Sequence, residues 1–219
     1  GVREETLVEV GPVRKQYVFK PDEYTGKKNQ LVIPGPELDP RTMSTVKVSK
    51  STKGFQFASA TWHFSTDQLP KEARGDLFQV SRKYFKREKG PRDVALKPLA
   101  DGARIEVGDE LEVQLSIRSR APAEYVHVKD PRGAGFEPEG AVSKYKWNLG
   151  LGWYEEYRDS STNFFFEAVP VGEFTFKYRV RASMAGTFRV GPAVMQSMYA
   201  PEFTAYSEGH VVPVAASGQ

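Results

Sequence analysis

The stretch Gly172-Glu-Phe-Thr-Phe-Lys-Tyr-Arg-Val-Arg-Ala182 alternates large apolar side chains with polar ones. The apolar positions are Phe174, Phe176, Tyr178 and Val180, and threonine, lysine and arginine fall between them. Successive side chains of a strand point to opposite faces of a sheet. This period of two residues therefore predicts a strand with one buried face.

The same period recurs along the chain and predicts an all-β protein. Leu111–Ile117 alternates in the same way, and Gly54–Phe64 has aromatic residues on both faces, which predicts a central strand. Shorter runs bounded by glycine and proline predict further strands at Thr6–Val10, Arg14–Phe19, Gln30–Ile33, Thr45–Ser49, Leu77–Lys86, Val94–Leu99, Tyr125–Asp130, Asn163–Ala168, Thr187–Val190 and His210–Val214. No stretch keeps a helical repeat, so the expected architecture is an antiparallel β-sandwich.

A charged Gly-Pro segment, Glu88-Lys-Gly-Pro-Arg92, separates two series of predicted strands. Such segments commonly lie between domains, so we expect a first domain over residues 1–88 and a second over residues 92–214. The small residues of 215–219 predict a disordered tail.

Composition limits the chemistry of the chain. Its 219 residues include no cysteine, which excludes disulfides, thiolate metal sites and cysteine nucleophiles within them. No apolar run approaches the roughly 20 residues of a membrane-spanning helix, so direct membrane insertion is not expected. The basic run from Arg82 to Arg92 is interpreted as a solvated strand that enters a linker, and no nucleic-acid partner is expected.

No set of residues has the spacing of a catalytic or metal site. His63, His127 and His210 each lack a second imidazole at ligand spacing, and no nucleophile elbow is present. Glu155 and Glu156 would point to opposite faces of a strand, so a solvated turn is the preferred interpretation of this pair. We therefore expect no enzymatic activity, no metal and no cofactor.

A cluster of aromatic residues leaves one alternative open. Trp147, Trp153 and Tyr154 would suit stacking against sugar rings if their faces were exposed. This alternative describes a cell-surface carbohydrate-binding or adhesion module. Aromatic residues in the core of a sandwich are the other interpretation of the same pattern.

The second half of the chain contains an ordered series of more specific motifs. It includes Tyr125-Val-His-Val-Lys-Asp-Pro-Arg-Gly-Ala-Gly-Phe-Glu-Pro138 and ends with Gly191-Pro-Ala-Val-Met-Gln-Ser-Met-Tyr-Ala-Pro-Glu202. Over about residues 92–214 the series resembles the last macroglobulin domain, MG10-like, of bacterial alpha-2-macroglobulins. Tyr17-Val-Phe-Lys-Pro-Asp22 and Gly54-Phe-Gln-Phe-Ala-Ser-Ala-Thr-Trp62 are similar to the part of these proteins that completes a CUB-like β domain.

The resemblance implies a fold and a function. The fold would be a macroglobulin-like, fibronectin-III-like β-sandwich preceded by a smaller CUB-like β unit. The chain, which begins at Gly1, would be a non-catalytic C-terminal fragment of a broad-spectrum protease-trapping inhibitor. Its partners would be the thioester and neighbouring macroglobulin domains of the parent chain and, indirectly, proteases. The parent would be periplasmic or in the cell envelope, lipid-anchored, or else secreted.

The resemblance also implies a site. In this family an aromatic side chain from a late loop of the last domain helps to keep water away from the thioester. The Met-Tyr-x-Pro-Glu motif places that role on Tyr199, with Met198 and Pro201 shaping the loop. A large flat ring with one hydroxyl suits this task, because it excludes water and still forms a hydrogen bond at the interface edge. The other interpretation is that Tyr199 packs within its own domain.

Overall fold

The computed structural model describes residues 3–20, 29–56, 58–63, 67–99, 104–140, 142–148 and 150–218. The chain divides into two compact units, Gly1–His63 and Phe64–Gln219. The regular structure of the described residues is β-strand apart from 3₁₀ conformation at Asn29 and Gly35–Glu37. The predicted all-β class is confirmed. In the described part of the chain, no helix is long and apolar enough to span a membrane.

The first unit contains a three-stranded antiparallel sheet. Its strands are β1 (Glu4–Val10), β2 (Val13–Phe19) and β3 (Val46–Lys50), with β1 in the middle. The turn between β1 and β2 includes Gly11, whose φ of 55° is a left-handed conformation that glycine adopts without steric cost. Thr6, Val10 and Tyr17 are buried and face one side of this sheet.

The second unit contains two larger sheets. The strands of the unit are β4 (Phe78–Lys89), β5 (Val94–Pro98), β6 (Ile105–Glu106), β7 (Glu110–Ser119), β8 (Ala123–Pro131), β9 (Phe136–Glu139), β10 (Lys144–Asn148), β11 (Leu151–Tyr157), β12 (Ser161–Val169), β13 (Gly172–Ala182), β14 (Gly186–Val190), β15 (Val194–Ser197), β16 (Thr204–Tyr206) and β17 (His210–Ala215). A six-stranded sheet has the order β10-β11-β12-β8-β15-β16, and a five-stranded sheet has the order β5-β4-β7-β13-β9. The pairs within both sheets are antiparallel.

The two larger sheets pack face to face through aromatic side chains. Phe164 of β12 lies with its ring centroid 5.2 Å from that of Phe176 on β13, and Phe166 lies 5.5 Å from the same ring. Trp153 of β11 meets Phe176 edge to face at 4.9 Å. Interdigitated side chains from two facing sheets are the core of a β-sandwich, so this architecture also agrees with the sequence.

A smaller sheet holds the end of the chain. It has the order β14-β17-β6, and β17 pairs with β6 in parallel. Ala215 pairs with Glu106, and the Ser217 hydroxyl donates to the Val107 carbonyl at 2.7 Å. The sequence analysis placed Ala215 and Ser217 in a disordered tail, whereas these contacts hold them against β6, and Gln219 lies outside the described residues.

The boundary between the units differs from the one at residues 88–92. β4, which the sequence analysis assigned to the first domain, pairs with β7 in the middle of the second unit's five-stranded sheet. The Gly-Pro segment is a hairpin turn between β4 and β5, closed by a 2.8 Å bond from the Gly90 amide to the Asp93 carbonyl. Glycine and proline are common both in hairpin turns and in the linkers between domains. Composition therefore does not distinguish a turn from a linker, whereas the strand pairing does.

The prediction of a central strand over Gly54–Phe64 is wrong for the described residues of this range. These residues form no ladder, and Phe55 is 96% exposed while Trp62 is half exposed. Phe57 and Phe64 lie outside the described residues. A chain can be extended and carry alternating side chains without pairing with another strand. The pattern alone therefore did not show that this segment belongs to a sheet.

Several strands were missed or predicted in excess. β9, β10, β11, β15 and β16 fall in places where the sequence analysis had motifs or turns, and Gln30–Ile33 forms no strand. Most of the missed strands are short or lie at or near a sheet edge, and each has at most two buried positions, too few for an alternation to be recognised.

Candidate functional site

The Tyr199 loop joins β15 to β16 at one edge of the six-stranded sheet. Ala200–Phe203 form a turn, in which the Phe203 amide donates to the Ala200 carbonyl at 2.9 Å. Pro201 occupies the second position of this turn, where its fixed φ is favoured. The Thr204 hydroxyl donates to the Pro201 carbonyl at 2.6 Å. The loop is therefore a hydrogen-bonded structure that presents its apolar residues in a defined place.

The apolar residues of this loop point away from the core. Tyr199 is 79% exposed and Met198 is 54% exposed, and Phe203 is also exposed. The ring of Tyr199 meets the ring of Tyr125 edge to face, with centroids 5.1 Å apart and planes at 85°. We call these four residues (Tyr125, Met198, Tyr199 and Phe203) the aromatic tip. Three predicted residues, Met198, Tyr199 and Pro201, lie together in the loop, and Tyr199 does not pack into the interior of its own unit.

The sequence analysis singled out neither Phe203 nor Tyr125 of the aromatic tip, and Tyr125 is the one that lies outside the loop. It lies in β8, its carbonyl accepts a 2.8 Å bond from the Met198 amide, and its side chain is half exposed. Tyrosine is common in strands, so nothing in the sequence distinguishes this residue from its neighbours. Its role depends on a contact with a residue that is far away in the sequence.

A buried ionic network lies between the sheets. The Arg82 guanidinium of β4 donates to the Asp130 carboxylate of β8 at 2.5 Å, and both side chains are fully buried. Arg82 also donates to the Gly191 carbonyl at 2.7 Å, and the Tyr178 hydroxyl donates to the second Asp130 oxygen at 2.5 Å. The sequence analysis interpreted the basic run as solvated, which is wrong for Arg82. Arg82 and Val80 lie two residues apart in β4 and therefore share one face of the sheet, and that face is buried.

Burial raises the pKa of Tyr178 well above its ordinary value, and the negative charge of Asp130 raises it further. The unfolded chain releases this proton near pH 10, whereas the folded chain keeps it to higher pH. The contribution to stability is therefore complete below pH 10 and is lost as pH rises. Above pH 10 we expect the free energy of unfolding to fall by up to about 1.4 kcal/mol per pH unit from this residue.

The measurement is urea denaturation of the chain and of Tyr178→Phe between pH 8 and 11.5. The variant should be less stable near neutral pH by about 1 kcal/mol, because it loses a hydrogen bond, and should fall less steeply above pH 10. Tyr145→Phe, at an 83% exposed position, is the control and should follow the wild-type profile. Equal slopes for Tyr178→Phe and the wild type would contradict this assignment.

Glu155 is the centre of a second buried cluster. Its carboxylate accepts hydrogen bonds from Lys146 at 2.8 Å, from the Trp153 indole at 3.2 Å and from the Tyr157 hydroxyl. The preferred interpretation of Glu155 and Glu156 as a solvated turn is wrong for Glu155, which lies in β11 and is almost fully buried. The cluster ties the edge strand β10 to the interior, since Lys146 belongs to β10. Glu156 instead accepts a hydrogen bond from Arg158 at 2.6 Å, so the two carboxylates do not converge as a catalytic pair.

The structure divides the predicted sugar-stacking residues between two faces. Trp153 points inward to Phe176, whereas Trp147 is 76% exposed on the outer face of the sheet. Trp147 lies against Gly152, where an added Cβ would come within 2.4 Å of the indole ring. Tyr154 is half-buried beside exposed Tyr145, with ring centroids 4.9 Å apart. The exposed aromatic group at this edge therefore contains Tyr145, Trp147 and Tyr154.

The described residues include no group of three or more histidine, cysteine or acidic side chains arranged to hold a metal ion. His127 stacks on Phe165 with centroids 4.6 Å apart, and its Nε2 lies 3.0 Å from the Asn163 side-chain oxygen. These contacts account for His127 as a packed residue on the outer face of the sheet.

The fold and the aromatic tip define a two-sheet antiparallel β-sandwich domain that presents an exposed loop. The sequence model described as Bacterial Alpha-2-macroglobulin MG10 domain matches residues 78–202. Because this match covers more than half of the 219 residues, the chain belongs to the bacterial alpha-2-macroglobulin family. The match begins at the first residue of β4, in agreement with the place of β4 in the second unit.

Solved structures of the same kind of protein have a similar fold. A mutant of Salmonella alpha-2-macroglobulin is 16% identical with a TM-score of 0.52, and the similarity covers 96% of this chain and 13% of that one. Native Escherichia coli alpha-2-macroglobulin from domain MG7 to the C-terminus is 17% identical with a TM-score of 0.51. The similarity covers 96% of this chain and 33% of that one. The chain thus spans at most a third of these proteins.

A curated protein is also similar in sequence. Circularly permutated Ras protein 2 of Dictyostelium discoideum is 23% identical over an alignment of 197 residues, and the similarity covers 86% of this chain and 5% of that protein. The chain therefore spans only a small part of its length.

Proposed function

We propose that this chain is the non-catalytic C-terminal part of a bacterial alpha-2-macroglobulin that acts as a broad-spectrum protease trap. In this proposal the aromatic tip packs against the thioester domain of the parent and shields the thioester. The observation that carries the proposal is the exposure of Tyr199 and Met198 on a hydrogen-bonded loop, at the positions of the Met-Tyr-x-Pro-Glu motif. A single protein domain rarely leaves such a group uncovered unless it contacts a partner.

The proposal extends to the rest of the parent protein. The chain has no cysteine, so a thioester would be formed by residues elsewhere in the parent. The first unit would belong to the CUB-like domain, and neighbouring macroglobulin domains would be further contacts. The parent would act in the periplasm or cell envelope, with a lipid anchor, or after secretion.

The test is Tyr199→Ala in the full-length parent. The thioester should react with methylamine roughly tenfold faster, because losing about 1.4 kcal/mol of protection from solvent corresponds to that factor. The rate is measured from the release of the thiol. Tyr145→Ala is the matched control, since it removes an equally exposed tyrosine from the opposite edge of the same sheet. An unchanged rate in Tyr199→Ala would remove the shielding role.

A second candidate function is glycan binding by the exposed aromatic group Tyr145, Trp147 and Tyr154. The observation that favours it is the exposed indole of Trp147, which lies against Gly152. A glycan array with the wild type and Trp147→Ala distinguishes the two functions. Saturable binding that disappears in Trp147→Ala would support a carbohydrate-binding module, and no binding would remove it.

A further inference from the structure

Tyr125 has a backbone conformation that is unusual for its residue type. Its φ is 51°, and every other described residue with a positive φ is a glycine. A left-handed conformation brings the Cβ of an L-residue close to the following carbonyl and is a clear outlier for a bulky side chain. Glycine or asparagine would be accommodated at this position with less strain. The presence of a tyrosine, in place of a residue that suits a positive φ, therefore needs an explanation.

The strand around Tyr125 does not require this conformation. Val126 pairs with Phe166 on one side and with Ser197 on the other, and Glu124 pairs with Ala168. The register between β8 and β12 is the same before and after Tyr125, so no residue has been inserted. The left-handed turn is thus local to one residue in an otherwise regular ladder.

The conformation of Tyr125 gives it two contacts with the Tyr199 loop. Its carbonyl accepts a 2.8 Å hydrogen bond from the Met198 amide, and this bond fixes the start of the loop. Its ring meets the ring of Tyr199 edge to face at 5.1 Å, an arrangement favoured by the charge distribution of aromatic rings. Both contacts are made to exposed residues of the loop, Met198 and Tyr199. Strained residues are retained at functional sites when the surrounding structure holds them there.

We propose that Tyr125 is a positioning residue for Tyr199, which holds the exposed ring in one orientation before any partner binds. A ring that is already oriented loses less conformational freedom on docking, so the contact forms at a lower entropic cost. The effect of Tyr125 on the thioester of the parent protein rests on the proposed shielding function of Tyr199. The orientation of Tyr199 itself can be measured in the chain alone.

The experiment compares Tyr125→Asn and Tyr125→Gly, which remove the ring and suit a positive φ, with the conservative variant Tyr125→Phe. NMR of the chain reports nuclear Overhauser contacts between the two rings and the chemical shifts of the Tyr199 ring. We expect the Tyr199 ring shifts to move to values typical of a mobile tyrosine in the asparagine and glycine variants. We expect Tyr125→Phe to keep the wild-type shifts. The melting temperature should stay within about 4 °C of the wild type, because relief of strain offsets the lost ring contact.

The same variants in the full-length parent distinguish the positioning role of Tyr125 from the shielding role of Tyr199. Tyr125→Asn should speed the methylamine reaction to the level of Tyr199→Ala, and Tyr125→Phe should not. If Tyr199→Ala speeds the reaction and Tyr125→Asn does not, the positioning role is overturned while the shielding role stands. If Tyr199→Ala has no effect, the shielding role fails, and the NMR shifts alone decide the positioning role. Tyr199 ring shifts that are unchanged in Tyr125→Asn and Tyr125→Gly would overturn it.

Discussion

Asp130→Ala is expected to lower the free energy of unfolding of the second unit by about 3–5 kcal/mol, since it leaves a buried charge without its partner. Arg82 and Asp130 are both fully buried, and the guanidinium of Arg82 has no other anionic partner in the described structure. The Tyr178 hydroxyl also loses its acceptor. Urea denaturation followed by tryptophan fluorescence measures the loss.

Glu88→Ala is the matched control for Asp130→Ala. The Glu88 carboxylate forms an ion pair with the Lys97 ammonium at 2.6 Å, almost the same distance as in the Arg82–Asp130 pair. Both side chains of the Glu88–Lys97 pair are exposed to solvent. Exposed pairs contribute little because water screens them, so the loss should be below about 1 kcal/mol. Similar losses in the two variants would show that burial does not determine the contribution of the Arg82–Asp130 pair.

Phe164→Ala is expected to lower the same free energy by about 3–5 kcal/mol, through lost apolar burial and the cavity that remains. The Phe164 ring is almost fully buried and contacts Phe176 at 5.2 Å and Tyr178 at 6.3 Å. It therefore joins the two sheets of the sandwich. The midpoint of urea denaturation and the slope of the transition are the quantities to compare.

Tyr145→Ala is the control for the loss of an aromatic ring. Tyr145 is 83% exposed at the edge strand β10, so its removal should change the free energy of unfolding by about 0.5 kcal/mol or less. A loss below about 1 kcal/mol in Phe164→Ala would mean that the interior rearranges to fill the space, contrary to the close packing of protein cores.

Strands with a regular alternation were predicted well. β7 and β13 were recognised because each has one face in the core and one in solvent, and that arrangement imposes a period of two on the sequence itself. The segment at Gly54–Phe64, with aromatic residues on both faces, was also predicted as a strand but forms no ladder in the described residues. A local pattern indicates that a segment is extended, but it does not show whether another strand pairs with it.

The residues of the Tyr199 loop could be named from the sequence, whereas Tyr125 could not. Tyr199, Met198 and Pro201 came from a short motif in a family resemblance, and these residues are contiguous in the chain, so a sequence comparison finds them directly. Tyr125 was not found, because its contact with Tyr199 joins residues that are 74 positions apart (199 minus 125). Its left-handed backbone has no signature in the sequence either, since the residue is not a glycine.

The sequence left open whether Tyr199 is exposed. By itself it determined the all-β class, the positions of the alternating strands and the motif of the Tyr199 loop. These properties depend on neighbouring residues, whose side chains obey the geometry of a single strand. Only the tertiary structure decided that β4 belongs to the second unit, that Arg82 and Glu155 are buried with partners, and that Tyr125 supports Tyr199. Each of these depends on which strands pair and which faces meet, and the free energy of those contacts comes from residues that are distant in the chain.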